Sequence, residues 1–304
     1  MKRLHRPETP AGGRGSRTAS GTRTYPSASP TSASPRRPST KLRREYKRAL
    51  RGRRVKPIRL DELTYVEIPE LIQAGVDTVV LPVGTIEPHG PHLPLGTDTL
   101  IAEALAELVA AKLNALLLPA VPYGVTGSLH GYPGSVRVEP EVLEKLVYSV
   151  LESVAFSGFR YALIVNGHGG NTPSLESAAR RAWYERGLAT MVVDWWVLAR
   201  ERGITQRVFG KEGGHAATDE TAIVLAVKPH LVKRELYSSS EIYVHSAGVK
   251  AYPLPGTVVN YMPQEGEVHF PPPEKCEEFL KDVAEAIVNL FGEFKRAVAR
   301  TRQR

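Results

Sequence analysis

The sequence contains one cysteine, Cys276, among its 304 residues. A single cysteine excludes a disulfide within the chain and any zinc site assembled from cysteine thiolates. Cys276 also lies among acidic residues in PPPEKCEEF, and negative neighbours raise the pKa of a thiol, so it is a poor nucleophile. A bound metal would therefore need nitrogen and oxygen ligands, and we interpret Cys276 as structural.

Long apolar runs are absent as well. No stretch approaches the roughly 18 apolar residues that cross a bilayer, and no apolar signal segment follows the basic N-terminus. We therefore expect a soluble, cytoplasmic protein that does not interact with membranes. Hydrophobic residues make up 42% of the chain, which is sufficient for a full core.

The formal charge of +8 is unevenly distributed. Residues 1–56 hold 17 Lys and Arg against two acidic residues, so the remainder of the chain is acidic, at −7. The first forty residues are rich in Ser, Thr, Pro and Gly and are predicted to be disordered. We divide the chain into a basic tail, 1–54, and one domain, 55–304. The tail either is a solvated segment or an upstream extension, or binds nucleic acid; no base-reading motif favours the last interpretation.

Strand-like and helical segments alternate from Val79 onward. VVLPVG, ALLLPAVPYG, YALIVNG and LATMVVD are predicted strands. TLIAEALAELVAAKL, PEVLEKLVYSVLESVAF and PSLESAARRAWYERG are predicted helices, with prolines suited to their first turns and glycines to their ends. The pattern predicts a three-layer α/β/α fold around a mostly parallel sheet, in which ligands bind beyond the carboxyl ends of the strands.

The first polar cluster follows the strand VVLPVG directly. Glu87 and His89 point to the same side of an extended segment because side chains alternate with a period of two. Pro and Gly residues then favour a rigid turn that returns Asp98 towards this pair. Singly, each residue has an ordinary interpretation, such as Asp98 capping the next helix. Three ligand-type residues at one strand end together favour a metal site.

Two further clusters follow along the chain. NGHGGN places His168 in a Gly-rich loop between a strand and a helix, where glycines permit close approach of a bound group. It matches neither GxGxxG nor a P-loop. GGHAATDET places His215 in a loop and Glu220 in the first turn of the next helix, where an acidic residue is ordinary helix-dipole chemistry.

Together, GTIEPHGPHLPLGTD, NGHGGN and GHAATDET resemble the three signature segments of the creatininase family, in the same order and with similar spacing. The resemblance implies a creatininase-like fold and a metal-dependent amidohydrolase that cleaves a cyclic amide or a formamide with two divalent ions, zinc, manganese or iron. It implies that Glu87 and His168 bind one ion, that His89 binds the second, and that Asp98 bridges both.

One position departs from the family pattern. Creatinine-hydrolysing members carry a Glu two residues after the motif histidine, and here that residue is Gly170. This departure favours deformylation of a formamidopyrimidine nucleotide over creatinine ring opening. Glu220 then either completes the second metal site or orients a histidine ligand.

The resemblance also implies roles in the reaction. A hydroxide bridging the two ions would attack the carbonyl carbon, and His215 would carry a proton to the leaving nitrogen, with Glu220 near the reacting groups. Tyr123, His130 and Trp195 are candidates for the substrate pocket, and ordinary packing is the alternative for each. We expect a homo-oligomer, with a hexamer as one possibility. A catalytically silent assembly subunit is the alternative within this fold.

Overall fold

The computed structural model describes residues 56–238 and 268–301. The predicted tail, 1–54, lies outside these residues. The described strands are β1 (Ile58–Arg59), β2 (Thr78–Val83), β3 (Leu116–Leu117), β4 (Tyr161–Asn166) and β5 (Ala189–Asp194). The described helices are α1 (Glu67–Gln73), α2 (Thr97–Leu113), α3 (Pro140–Phe156), α4 (Thr172–Arg186), α5 (Trp195–Glu201), α6 (Ile204–Phe209), α7 (Thr218–Val227) and α8 (Pro273–Thr301).

The five described strands form one parallel sheet in the order β1-β3-β2-β4-β5. Alternate residues of β2 and β4 enter separate cores on the two faces of the sheet. Val80 and Leu163 pack with α2, α7 and α8, whereas Val79 and Ile164 pack with α1, α3 and α4. The period-two alternation of fully apolar strands thus supports a helical layer on each face, and the predicted α/β/α architecture is confirmed.

The predicted elements correspond closely to the observed ones, with one exception. Helix α3 spans the predicted residues, and α4 is terminated by Gly187 in the left-handed conformation (φ 66°). The segment ALLLPAVPYG, by contrast, contributes only Leu116–Leu117 and isolated bridges at Val121 and Gly124. Its prolines cannot donate a ladder hydrogen bond, and this shortens the strand. Helix α8 lay outside the predicted alternation.

The carboxyl ends of three strands lie side by side, and the polar clusters follow directly after two of them. Val83, Asn166 and Asp194 are aligned as the final residues of β2, β4 and β5. The loops after β2 and β4 therefore leave the sheet as neighbours. Within the described part of the chain, no helix has the length and apolar character needed to cross a bilayer.

Candidate metal centre

The loop after β2 folds back on itself and brings three predicted residues together. The amide of Glu87 donates to the carbonyl of Leu95 at 3.0 Å, closing the turn predicted from its Pro and Gly residues. His89 Nε2 then lies 2.8 Å from Asp98 Oδ1. Glu87, His89 and Asp98 are each at most 1% exposed. One continuous segment thus supplies a buried imidazole and two buried carboxylates.

Asp98 does not cap its helix. Helix α2 begins at Thr97 after Gly96, and no side chain caps its first turn. The Asp98 carboxylate instead lies between two imidazoles, with Oδ1 near His89 and Oδ2 3.2 Å from His168 Nδ1. This position agrees with the bridging role that the family resemblance implies.

His168 approaches this group from the end of β4. Its Nδ1 atom lies 3.3 Å from Glu87 Oε1. The backbone must pass very close to Asp98 to reach it, since a Cβ atom on Gly167 would lie 2.2 Å from the Asp98 carbonyl oxygen. Glycine at position 167 is therefore needed for the approach of the loop after β4 to the first turn of α2.

The start of α7 supplies the remaining predicted residues. Glu220 Oε2 lies 3.7 Å from His89 Nε2 and also accepts the amide of Ala216 at 2.5 Å. Ala216 adopts a left-handed conformation (φ 53°), which is unusual for a non-glycine residue. His215 stacks against His89 with ring centroids 4.3 Å apart, and its Nδ1 lies 3.9 Å from Glu87 Oε1. Glu220 therefore both holds the backbone that precedes its helix and faces the site.

Each of the three imidazoles has one nitrogen held by a backbone carbonyl. His89 Nδ1 lies 3.1 Å from the Glu87 carbonyl oxygen, His168 Nε2 lies 3.1 Å from that of Val125, and His215 Nε2 lies 2.9 Å from that of Pro88. Because a carbonyl only accepts, these nitrogens carry the proton. The second nitrogen of each ring faces the carboxylates and is the atom that would bind a metal ion, which is how metal-binding histidines are usually oriented.

The pKa values reflect a buried and strongly interacting cluster. Burial raises the pKa of Glu87 to about 7 against the opposing effect of His168. Burial lowers the pKa of His89, but the Asp98 and Glu220 carboxylates outweigh it and raise the value to about 10. Burial also lowers the pKa of His168, but the Glu87 and Asp98 carboxylates outweigh this effect and raise the value to about 9. The carboxylates thus favour positive charge at the position between them, which is the charge that divalent ions carry.

The donor atoms fit a pair of cations. Glu87, Asp98 and His168 form one group, His89, Asp98 and Glu220 form another, and Glu87, His89 and His215 form a third, each with ligand atoms within 4.8 Å of one another. Both Glu87 oxygens, His89 Nε2 and Asp98 Oδ2 are buried without a hydrogen bond of acceptable geometry to any described residue. Buried polar atoms without partners are rare, and coordination to metal ions would satisfy all four.

Gly170 is enclosed by two loops, the one that carries His168 and the one that contains Val125. A Cβ atom at this position would lie 2.2 Å from the Val125 carbonyl oxygen and 2.6 Å from His168 Nε2. A glutamate, which occupies this position in creatinine-hydrolysing members, does not fit the loop in this conformation. The described carboxylate nearest to His89 besides Asp98 is that of Glu220.

The three predicted pocket residues have different surroundings. Tyr123 is 51% exposed and His130 is also exposed. Trp195 is fully buried in the core and packs edge-on against Phe279. The indole of the next residue, Trp196, lies beside the loop that carries His168, 3.6 Å from where a Gly169 Cβ would stand. Core packing is therefore the role that the surroundings of Trp195 indicate, and substrate contact stays a prediction for Tyr123 and His130.

Four polar residues near the site received no role from the sequence. The Asn166 side chain bonds to the His168 backbone, and the Asn171 side chain accepts the Val125 amide. His92 Nε2 lies 3.1 Å from Thr221 Oγ1, joining the loop after β2 to α7. The asparagines at both ends of NGHGGN were the available signal, because amides beside a Gly-rich loop often bond to its backbone.

Comparison with known proteins was consistent across sequence and structure. The family model for creatininase, described as creatinine amidohydrolase, matches residues 61–291. The creatinine amidohydrolase of Pseudomonas putida is 27% identical over 193 residues, covering 58% of this chain and 74% of that protein. The mycofactocin precursor peptide peptidase of Mycolicibacterium smegmatis is 35% identical over 164 residues, covering 52% of this chain and 61% of that protein.

A third relative acts on a formylated nucleotide, according to its name. The 2-amino-5-formylamino-6-ribosylaminopyrimidin-4(3H)-one 5'-monophosphate deformylase of Methanothermus fervidus is 29% identical over 153 residues, covering 47% of this chain and 53% of that protein. Among solved structures, a creatinine amidohydrolase superposes with a TM-score of 0.66 at 24% identity, covering 78% of this chain and 97% of that one. A manganese form of creatininase gives a TM-score of 0.63 at 23% identity, with coverage of 78% and 98%. These structures share the fold of this chain.

Proposed function

This chain belongs to the creatininase family, and we propose that it hydrolyses the C–N bond of a formamide or cyclic amide at a centre of two divalent metal ions. Membership confirms the family predicted from the three motifs. It also confirms the coarser prediction of a metal-dependent amidohydrolase. The ligands, the substrate and the identity of the metals are our proposals.

The observation that carries this proposal is that two groups of ligand atoms share one carboxylate. Glu87, Asp98 and His168 would hold one ion, and His89, Asp98 and Glu220 would hold the other. Asp98 has an imidazole nitrogen within about 3 Å of each of its oxygens, so it can serve both ions at once. Zinc and manganese are the preferred candidates, because creatininase structures of Zn-Zn and Mn types share this fold, and iron is the third.

The ions, when bound, would lower the pKa of a water molecule and polarise the amide carbonyl. His215 would transfer the proton. Burial, together with the positive charge on His89, lowers the pKa of His215 well below its usual value, so its ring is neutral at physiological pH. Its Nδ1 faces Glu87 while its Nε2 is held by the Pro88 carbonyl. A neutral imidazole in this position can take up a proton and pass it to the leaving nitrogen.

A formamide is favoured over creatinine as the substrate. Gly170 leaves no room for the glutamate of creatinine-hydrolysing members, and a relative named as a formylaminopyrimidine nucleotide deformylase matches this chain. Hydrolysis of a formamide would release formate and a free amine. A nucleotide substrate would bind in part through contacts with its phosphate group.

A peptide C–N bond is the second candidate. The mycofactocin precursor peptide peptidase is 35% identical to this chain, compared with 27% for the Pseudomonas creatinine amidohydrolase. The same metal and proton chemistry would serve a peptide bond, so the difference would lie in the shape of the substrate pocket.

Elemental analysis joined to substrate assays tests the proposal. We expect two divalent ions per wild-type chain, loss of both in Asp98→Ala, and no loss in His130→Ala, whose side chain is exposed. The metal-loaded enzyme is assayed on a formamidopyrimidine nucleotide, on creatinine and on a peptide. Formate release without creatine formation supports the proposal. Fewer than one ion per wild-type chain would instead favour a catalytically silent assembly subunit.

Three further properties stand as proposals. We expect a closed homo-oligomer, a hexamer being one possibility, to be measured by light scattering coupled to gel filtration. Localisation in the cytoplasm is expected from the sequence. Deletion of residues 1–54 should leave fold, metal content and activity intact, and it would abolish nucleic-acid binding if the tail alone provided that function.

A further inference from the structure

The side chain of Asn166 holds both backbone groups of His168. Its Oδ1 accepts the His168 amide at 3.1 Å, and its Nδ2 donates to the His168 carbonyl at 2.8 Å. Asn166 is fully buried at the end of β4. One amide therefore fixes the peptide groups on either side of the His168 Cα atom, and this sets the position and direction of the Cα–Cβ bond that carries the imidazole.

Asp194 decides the orientation of the Asn166 amide. Its Oδ1 accepts from Asn166 Nδ2 at 2.7 Å, and its Oδ2 accepts the Thr172 hydroxyl at 2.9 Å. The register of the sheet produces this pair, because Asn166 and Asp194 are aligned as the last residues of β4 and β5. A carboxylate only accepts, so the amide nitrogen must face it, and the amide oxygen is left for the His168 N–H.

Asn171 holds the opposite side of the ring. Its Oδ1 accepts the Val125 amide at 2.8 Å, and its Nδ2 donates to the Gly84 carbonyl at 3.0 Å. The carbonyl of the same Val125 residue receives His168 Nε2. Asn171 thus ties Val125, the residue whose carbonyl orients the imidazole, to the residue that follows β2. A Cβ atom on Gly124 would lie 2.4 Å from Asn171 Oδ1, so the fit is close.

We propose that Asn166, Asn171 and Asp194 are positioning residues that preset the His168 backbone and ring, so that Nδ1 meets Glu87 and Asp98 before a metal ion binds. This inference rests on the proposed dinuclear centre. It assigns a function to the two asparagines of NGHGGN and adds the acidic residue at the end of the neighbouring strand. We call these three residues the frame. The frame contributes metal affinity selectively to the group that contains His168, because none of its bonds described above reaches His89 or Glu220.

Zinc titration against a competing chelator tests the frame, with both dissociation constants measured on the full chain. Variants His168→Ala and His89→Ala first identify which constant belongs to which group. Asn166→Asp places a second carboxylate against Asp194 and removes the N–H groups that donate to Asp194 and to the His168 carbonyl. We expect its zinc affinity at the His168 group to fall about 10- to 100-fold, with the other constant within about threefold of wild type.

The double variant Asn166→Asp/Asp194→Asn restores a donor and an acceptor with exchanged positions. We expect it to recover at least part of the lost affinity, which is a coupling that two independent structural losses would not produce. Should Asn166→Asp fail to fold, Asn171→Asp replaces it, because that change keeps the Val125 bond and removes the donor to Gly84. Its expected loss at the His168 group is smaller.

Lys295→Met is the matched stability control. Lys295 contacts Asp77 and Thr78 at the amino end of β2, far from the polar loops, so its loss should lower the melting temperature without changing either zinc constant. If wild type binds two zinc ions and the frame variants retain both wild-type constants, the frame is refuted and the metal centre stands. If wild type binds none of zinc, manganese and iron, the proposed function itself fails.

Discussion

Replacing Gly170 with alanine adds one methyl group at the most crowded position beside the metal centre. The new Cβ would stand 2.2 Å from the Val125 carbonyl oxygen and 2.6 Å from His168 Nε2, directly against the hydrogen bond that orients the ring. An ordinary carbon–oxygen contact requires about 3.4 Å, so the carbonyl or the loop must move by about 1 Å.

The size of the effect follows from that displacement. The bond between His168 Nε2 and Val125 is 3.1 Å long, and an added separation of about 1 Å takes it beyond hydrogen-bond range. Loss of a bond that orients a histidine ligand typically reduces metal affinity about 10- to 100-fold, or by about 1.4 to 2.7 kcal/mol. We therefore expect Gly170→Ala to weaken zinc binding by this amount at the group that contains His168.

Competition with a zinc chelator measures this loss, and Gly131→Ala provides the matched control. A Cβ atom on Gly131 would meet nothing within 4 Å, and Gly131 lies in a short 3₁₀ helix (Ser128–Gly131), a backbone conformation that an L-residue adopts readily. The control should bind zinc as wild type does. Wild-type zinc affinity in Gly170→Ala would refute the argument that this position is closed by the loop, and with it our reason for disfavouring creatinine as the substrate.

Four other changes test the site and its support. Glu220→Gln keeps an oxygen for the Ala216 amide but loses the anionic ligand, so elemental analysis should give one ion per chain in place of two. His215→Gln should retain both ions while kcat falls about 10²- to 10⁴-fold; loss of metal would contradict a proton-transfer role. Burial, aided by His89, lowers the folded-state pKa of His92 to about 4. The unfolded chain therefore binds a proton from about pH 6.5 downward, before the folded chain does, and stability falls between pH 6.5 and 4 by up to about 3 kcal/mol. Urea denaturation of His92→Gln should show a shallower pH dependence than His130→Gln, and equal slopes would count against the effect. Lys295→Met should cost about 1 kcal/mol in the free energy of unfolding, since the ion pair is partly exposed, with metal content unchanged.

Local sequence patterns predict the layers of the fold and the types of residue in the candidate centre. Strands β2 and β4 are apolar on both faces, and α2, α3 and α4 have apolar residues at helical spacing, so local pattern alone predicts helices on each side of a parallel sheet. The Pro- and Gly-rich turn between Glu87 and Asp98 is also a local property. For this reason three candidate ligands could be named from one segment.

Which distant groups meet depends on tertiary packing. The closeness of Glu220 to His89 depends on how α7 packs beside the loop after β2, and no spacing along the chain encodes a distance of 3.7 Å between residues so far apart. The exclusion of a side chain at position 170 depends on Val125, which belongs to another loop. The surroundings of Trp195 were likewise settled by its packing on α8. The bond from Asn166 to Asp194 exists because β4 and β5 end in register, and strand register is fixed by burial of whole faces rather than by the residues that later form the site.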